Sequence, residues 1–503
     1  MSTLVKKLYS LERSNKKALT LVDGKTYTYK NIFSYSHQLA TYFQKEGLGS
    51  QDRVLLLIKP GLQAASCTLA CLKLGIGVIL IDPESSGQEI FKQKIKVAKP
   101  TCIIVDYRLR LLQDHPVARF ILEKSERNLP NLPNLKPYKV IVNKKIPLLG
   151  KALPSYIQDL PKEKLLPATI PEQKEALIVF TSGTTSAPKA VVHTHQSLVK
   201  SLDILGLLVN LPKPILYTNQ IYFLFFALAL KAQVIFDPEP FTGSRFVKNS
   251  LKYKPTITFA PPGELIEVLR YCRQQKLLFP KSYKHVLLGS APVTKGFLKK
   301  LFTLSSENLK TTCLYGMTEV LPIATIDGFE KLHRKINGDL LGKPVQGVKL
   351  RVDKQGVLHI GAEHLCSYYL NGTKHAMVST GDIVRINGKK EIILKGRQKD
   401  MILRRSFNIY PALYEPIIES IPGVDTACMV GLYKETLEDE DVVLVLEADP
   451  QLKADSIKKK LSSGKYSIDV QALPDQIIFM TIPRVGRQKK INKQLLREKL
   501  TNK

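Results

Sequence analysis

The sequence predicts an α/β protein: a large N-terminal domain of layered, mostly parallel sheets with helices, followed by a small α+β C-terminal domain. Three observations predict it. Strand and helix signals alternate through most of the chain. The strand signals are continuous apolar runs, as parallel strands covered on both faces require. A polar break at 396–400 (GRQKD) then separates this stretch from a tail that repeats the alternation on a smaller scale. The expected division is 1–395, a hinge at 396–400, and 401–503; no internal repeat is visible.

Each element follows in order. Ile32, Tyr35, Leu39, Tyr42 and Phe43 fall on one helical face, ahead of a strand at 53–58 (RVLLLI). Residues 62–81 carry Lys73 and two glycines and read as a helix followed by a strand at 78–81. Residues 102–105 (CIIV) form a short buried strand, and the proline-rich 128–137 (NLPNLPNLKP) is a surface connector. Residues 177–180 (LIVF) are another buried strand, and 356–360 (GVLHI) and 390–395 (KEIILK) belong to a smaller sheet. The two longest apolar stretches, 62–81 and 215–230, are broken by charge, glycine or Asn219 and Gln220, so neither is expected to cross a bilayer. The first 17 residues lack the apolar segment of a secretory signal, and the expected location is cytoplasmic.

An apolar fraction of 44% excludes disorder as the main state. Seven cysteines without a CxxC pair point to reduced, buried thiols; Cys67 and Cys71 share a helix face but lack the histidine or acidic companions of a metal site. A net charge of +31 attracts anions such as nucleotides, acyl carriers, anionic lipid or nucleic acid, although a lysine-rich, solvated surface is the preferred account of it. Near the C-terminus Arg484, Arg487, Lys489, Lys490, Lys493, Arg497, Lys499 and Lys503 face only Glu498. No aromatic interleaving or zinc-finger spacing accompanies them, so nucleic acid is not an expected partner, and peripheral membrane contact stays open.

Five segments carry chemistry. The strand at 177–180 runs into Thr181, Ser182, Gly183, Thr184 and Thr185, with Pro188 and Lys189 following. Such a loop brings N–H groups and hydroxyls close to a polyphosphate, and Lys189 adds a mobile charge. It is not a Walker A loop, because no second glycine precedes the lysine and Ala190 follows it. Gly289, Ser290, Ala291 and Pro292 follow an apolar run. Tyr315, Gly316, Met317, Thr318 and Glu319 combine a ring that can stack on a purine with groups that can hold phosphate and hydrated Mg²⁺. Thr380-Gly381-Asp382 and Gly396-Arg397 add a carboxylate and a guanidinium.

In this order the motifs resemble those of the adenylate-forming superfamily, which includes acyl-CoA synthetases, luciferases and peptide-synthetase adenylation domains. Its phosphate loop reads roughly YTSGTTGxPKGV followed by HTH; here Ser186 and Ala190 stand at glycine positions. The resemblance implies that ATP is bound by the 181–189 loop, by Gly289 to Pro292 against adenine, by Tyr315, Gly316 and Thr318, and by Asp382 and Arg397 at the ribose. It places Mg²⁺ at Glu319 and makes Lys399 the hinge on which a mobile C-terminal domain turns. The catalytic group, beside Thr318 and Glu319, is Lys490 or Lys489. Lys490 is preferred because the Lys-Ile-x-Lys pattern that starts there is kept.

The implied activity is ATP-dependent conversion of a small-molecule carboxylic acid, a fatty acid above others, to an acyl-adenylate with release of pyrophosphate. Transfer to an acceptor follows, CoA by default. An acyl carrier protein stays open as acceptor. So does the substrate's own hydroxyl, as in β-lactone synthetases, which 318–324 (TEVLPIA) also resembles. Arg405 and Ser406 replace a glycine pair of CoA ligases and are expected to narrow the thiol's path. The aromatic 216–226 segment (LYTNQIYFLFF) suits a hydrophobic acid or the core. A reading from another class is a nucleotide-binding pseudoenzyme whose basic surface binds membrane or nucleic acid.

Overall fold

The computed structural model describes residues 2–59, 61–81, 88–114, 138–144, 151–154, 169–181, 188–220, 222–237, 241–370, 372, 376–404, 407–434, 439–463, 466, 468–485 and 490–501. Two sheets dominate the first 400 residues. In the 13-stranded sheet, six neighbouring strands run parallel: Lys17–Leu21, Gln233–Phe236, Ile215–Thr218, Ile257–Ala260, His285–Leu288 and Lys310–Met317. From Lys310–Met317 outward the sheet continues antiparallel through Val320–Asp327, Asp339–Pro344, Ile392–Arg397 and Val378–Ile386. The seven-stranded sheet has a parallel centre built from Arg53–Leu57, Gly77–Leu80, Cys102–Val105, Lys139–Val142 and Glu175–Phe180. Ala190–Thr194 and Tyr368–Tyr369 extend it antiparallel. Parallel strands deliver their C-terminal ends to one edge, where ligands of open α/β sheets sit.

The helices follow from caps and apolar stripes. Thr28 and Thr194 each form a reciprocal capping box, starting Tyr29–Lys45 and His195–Leu208. Ile32, Phe33, Leu39 and Phe43 bury the inner face of the first. Cys67 and Cys71 lie fully buried in Leu62–Leu74, and all seven cysteines are free and buried. Among the described residues no helix is long and apolar enough to cross a membrane.

Residues beyond 400 make their own layers. Val424–Lys434 and Asp439–Ala448 pair antiparallel, and Gln476–Phe479 adds in parallel. Ile402, Tyr414, Ile418, Met429, Leu444 and Ile457 form one core behind them, and Cys428, Val443, Val445 and Leu496 form another. The strand expected at 390–395 is shifted: it is Ile392–Arg397, so Gly396 and Arg397 still belong to the sheet and the 3-10 turn Gln398–Asp400 follows. Glu391 explains the shift, since it turns away to pair with Arg334 and Asn387. The C-terminal basic residues are not uniformly solvated either. Lys493 pairs with Glu415 at 2.7 Å and donates to the Met429 carbonyl.

Six lysines, at 99, 213, 231, 254, 276 and 390, adopt a left-handed backbone where glycine or asparagine is usual. Lys254 caps Gly243–Tyr253 with φ 50° and ψ 50°. Lys254→Gly is expected to raise stability by about 0.5–1 kcal/mol. Unchanged or lower stability in denaturant unfolding would mean that the lysine bears no strain.

Glu419 lies where the two parts meet, its carbonyl 3.1 Å from the position a side chain at Gly296 would take. Burial raises its carboxyl to about 7, partly offset by hydrogen bonds from Thr294 and the Ala427 N–H. A raised carboxyl favours the folded state while protonated, so this contribution declines as pH climbs from about 4.5 to 7. Thermal melts of Glu419→Gln should lose that slope, worth on the order of 3 kcal/mol.

Candidate active site

The strand Lys310–Met317 turns into Val320–Asp327 through a two-residue loop consisting of Thr318 and Glu319. Gly316 is required just before it: a Cβ there would come within 2.7 Å of Leu321 Cδ1 and 3.0 Å of the Val320 carbonyl. One strand over, Gly289 and Ser290 leave His285–Leu288, and Ser290 is held at φ 68°, a strained conformation for serine. A Cβ on Gly289 would meet the Leu314 carbonyl at 3.2 Å and the Phe259 ring at 3.3 Å. The Gly289 turn and Tyr315 thus share one edge.

Asp382 is the hub of the polar cluster. It is 3% exposed, and its Oδ2 accepts the Tyr315 hydroxyl at 2.6 Å while Oδ1 accepts Arg397 Nε at 3.0 Å. Its own N–H donates to Thr380 Oγ1, which ties the Thr380-Gly381-Asp382 turn together. Burial, then the Asp382 carboxylate, raise the Tyr315 phenol well above its usual range, so it stays a donor. Arg397 faces Asp382 from the neighbouring strand in register.

Lys490 arrives from the far end of the chain. It sits in the short strand Lys490–Ile491, paired with Arg484–Val485, and its side chain has no hydrogen bond or ion pair among the described residues. Burial lowers its pKa, and so do the Arg397 and Lys399 charges, which places all three cations together. Three convergent cations with Asp382 and Asp400 as countercharge favour a polyanion. Lys489 lies outside the described residues, as do Ser182, Gly183, Thr184, Thr185, Ser186, Arg405 and Ser406.

The two ends of the 181–189 loop, Thr181 and Pro188–Lys189, are described. The Thr181 N–H donates to the Lys189 carbonyl at 3.2 Å. Ala190 begins a buried strand opposite Phe180 with no left-handed backbone, so a glycine is not needed there. Two residues absent from the sequence-derived site complete it. His193 donates from Nε2 to the Thr318 carbonyl at 2.8 Å, and burial lowers its pKa to about 4, which keeps the ring neutral. The Tyr369 hydroxyl donates to Glu319 Oε1 at 2.8 Å, and Lys189 Nζ stands 5.7 Å over the Tyr369 ring. His193 was visible within the HTH segment; Tyr369 had no local signal, because only strand pairing to Val191 brings it there.

The aromatic segment packs inward. Phe223, Leu224, Phe225 and Phe226 are buried in the core, with Phe223 stacked on Phe259 at 4.3 Å. That stack therefore backs the Gly289 turn, an apolar wall beside the polar cluster. Ile221 lies outside the described residues.

Residues 10–363 match the sequence profile of the family described as AMP-binding enzyme. The chain is 25% identical over 347 residues to a long-chain-fatty-acid–CoA ligase of Mycobacterium tuberculosis, spanning 64% of this chain and 67% of that one. It is 23% identical to 4-coumarate–CoA ligase 1 of Arabidopsis thaliana, spanning 95% and 89%. The solved structure of an amide bond synthetase from Marinactinospora thermotolerans superimposes with a TM-score of 0.80 at 17% identity, covering 99% of both chains.

Proposed function

The chain belongs to the AMP-binding enzyme family, and on that premise we propose that it is an AMP-forming ligase that converts a hydrophobic carboxylic acid, a fatty acid by preference, to an acyl-adenylate and passes the acyl group to CoA. One observation carries the reading: Lys490, nearly a hundred positions beyond Arg397, stands with Arg397 and Lys399 next to the Asp382–Tyr315 pair. A carboxylate acceptor for ribose hydroxyls and a ring for adenine then lie beside Arg397, which Asp382 holds, and beside Lys490, whose side chain has no ion pair among the described residues. In this reading the acid's oxygen attacks the α-phosphorus and the bond to pyrophosphate breaks. Lys490 and Lys189 stabilise charge that develops on the phosphoryl oxygens. The Phe223–Phe259 stack, buried behind the Gly289 turn, keeps the wall on that side apolar, which suits a hydrophobic acid.

Glu319 fits a magnesium ligand. No cluster of three or more metal-ligating side chains exists among the described residues, and a single buried carboxylate is what Mg²⁺ uses when phosphates supply other oxygens. When bound, the ion would neutralise phosphate charge; Tyr369 fixes the Glu319 carboxylate and His193 fixes the loop beneath it. The division into 1–395, a 396–400 hinge with Lys399 as pivot, and 401–503 is part of the same proposal. It is supported by the separate cores beyond residue 400.

Acid-dependent pyrophosphate release, measured across fatty acids of increasing length with and without CoA, tests the function. Release that rises with apolar chain length and acyl-CoA that accumulates are the expected results. Adenylate formation without thioester would move the acceptor to a carrier protein or an internal hydroxyl. In that case Arg405→Gly with Ser406→Gly should restore CoA turnover if side chains there obstruct the thiol. Absence of release with every acid would overturn the reading.

A further inference from the structure

The net charge of +31 is distributed unevenly. Beyond residue 400 there are 16 lysine and arginine against 14 aspartate and glutamate side chains, so nearly all the excess lies in the large domain. The chain passes between the two parts through the single segment at 396–402. An orientation joined by one crossing has to be set by interface contacts, and within-chain domain interfaces are mobile unless something holds them.

The described interface contains a charge cluster away from the crossing. Arg270 projects from the large-domain helix Pro262–Gln274 and reaches two carboxylates of the small domain. Its Nη2 is 3.2 Å from Asp425 Oδ2 and 3.5 Å from Glu447 Oε2, and its Nε donates to Asp425 Oδ2 at 3.3 Å. Lys300, on Lys295–Leu304, donates to the Val424 carbonyl at 2.8 Å and meets Asp425 Oδ1 at 3.3 Å. Glu447 in turn holds Arg484 with both oxygens, at 2.6 and 2.8 Å, and accepts the Ile482 N–H. Arg484 pairs in register with Ile491, and Val485 with Lys490.

A continuous path therefore runs from Arg270 through Glu447 and Arg484 to the hairpin that carries Lys490. We propose that Arg270, assisted by Lys300, is a positioning residue that fixes the small domain so that Lys490 stands beside Arg397. This rests on the reading of Lys490 as the cation of adenylation. Arg270 suits the task because one planar guanidinium can address two carboxylates, which a lysine cannot do with fixed geometry. Its side chain is 41% exposed, so its loss leaves no buried gap. The pairs are accessible enough to be weakened by salt.

The test is Arg270→Gln in the full-length protein. Adenylation kcat should fall about tenfold with KM for ATP nearly unchanged, because the nucleotide's own contacts stay intact. The wild-type rate should decline with added salt, and the variant's should respond little. Reversing the pair, Arg270→Asp with Asp425→Arg, should recover most of the rate. A second readout needs no substrate: spin labels on cysteines replacing the exposed Lys248 and Lys458 report domain orientation, since every native cysteine is buried. Arg270→Gln should broaden a single distance into a distribution. Broadening in a wild-type background that makes no adenylate would keep the positioning role and overturn the function. Full kcat in Arg270→Gln, or an unbroadened distance, would overturn the positioning role.

Discussion

Lys490→Ala should lower acyl-adenylate formation by about two to three orders of magnitude while leaving ATP affinity within a few-fold of wild type. The side chain has no ion partner among the described residues and lies with two other cations, so its folded-state surroundings disfavour its charge. An uncompensated cation of this kind is costly in the free protein and is repaid when negative charge develops nearby. Groups that act on developing charge in a partly desolvated site contribute about 3–4 kcal/mol to the barrier, hence the size of the effect. ATP affinity should persist because Asp382, Tyr315 and the loop neck at Thr181 belong to the other part of the chain. Single-turnover measurement of acyl-adenylate separates the two quantities. A normal Lys490→Ala beside a crippled Lys489→Ala would move the catalytic role one residue upstream.

What the sequence made legible was local. Tyr315 to Glu319, Thr380 to Asp382 and Gly396-Arg397 are short runs whose chemistry survives being read one at a time, and the structure brings Tyr315, Asp382 and Arg397 into hydrogen-bonding contact. The parallel strands were legible for the same reason, since buried strands such as 102–105 are apolar at every position. Long-range partners were not. Tyr369 reaches Glu319 only because its two-residue strand pairs with Ala190–Thr194, and nothing around Tyr369 announces that pairing. Arg270 has no local signal either, because its carboxylate partner Asp425 lies 155 positions away in the chain. The end of Ile392–Arg397 was misread because Gly396-Arg397-Gln398 is polar; the strand tolerates it because Asp382 sits opposite Arg397 in register. The aromatic run was ambiguous in sequence for a physical reason, since a ring stacked in the core and a ring lining a cleft have the same composition; Phe223, Phe225 and Phe226 prove to be core.

Asp382→Asn carries the second large effect, and on a different constant. The wild-type carboxylate accepts the Tyr315 hydroxyl at one oxygen and Arg397 at the other, and it is almost completely buried. An amide of the same shape keeps one acceptor and brings two donors: with its oxygen on Arg397, its NH2 faces the Tyr315 oxygen and the phenol's own proton loses its acceptor. Arg397 loses its charge partner and the ribose hydroxyls lose an anionic acceptor. Hydrogen bonds to a charged group contribute about 1.5–3 kcal/mol each, so KM for ATP should rise about 30- to 100-fold. Tyr315→Phe, which removes one donor and keeps the ring, should raise it by no more than about tenfold. The contrast separates nucleotide binding from scaffolding. If Asp382 serves the nucleotide, added ATP should raise the melting temperature of the wild type and of Tyr315→Phe but not of Asp382→Asn. If the residue only ties two strands together, Asp382→Asn should melt lower without ATP and still respond to ATP as the wild type does. That second pattern would remove Asp382 from the binding site.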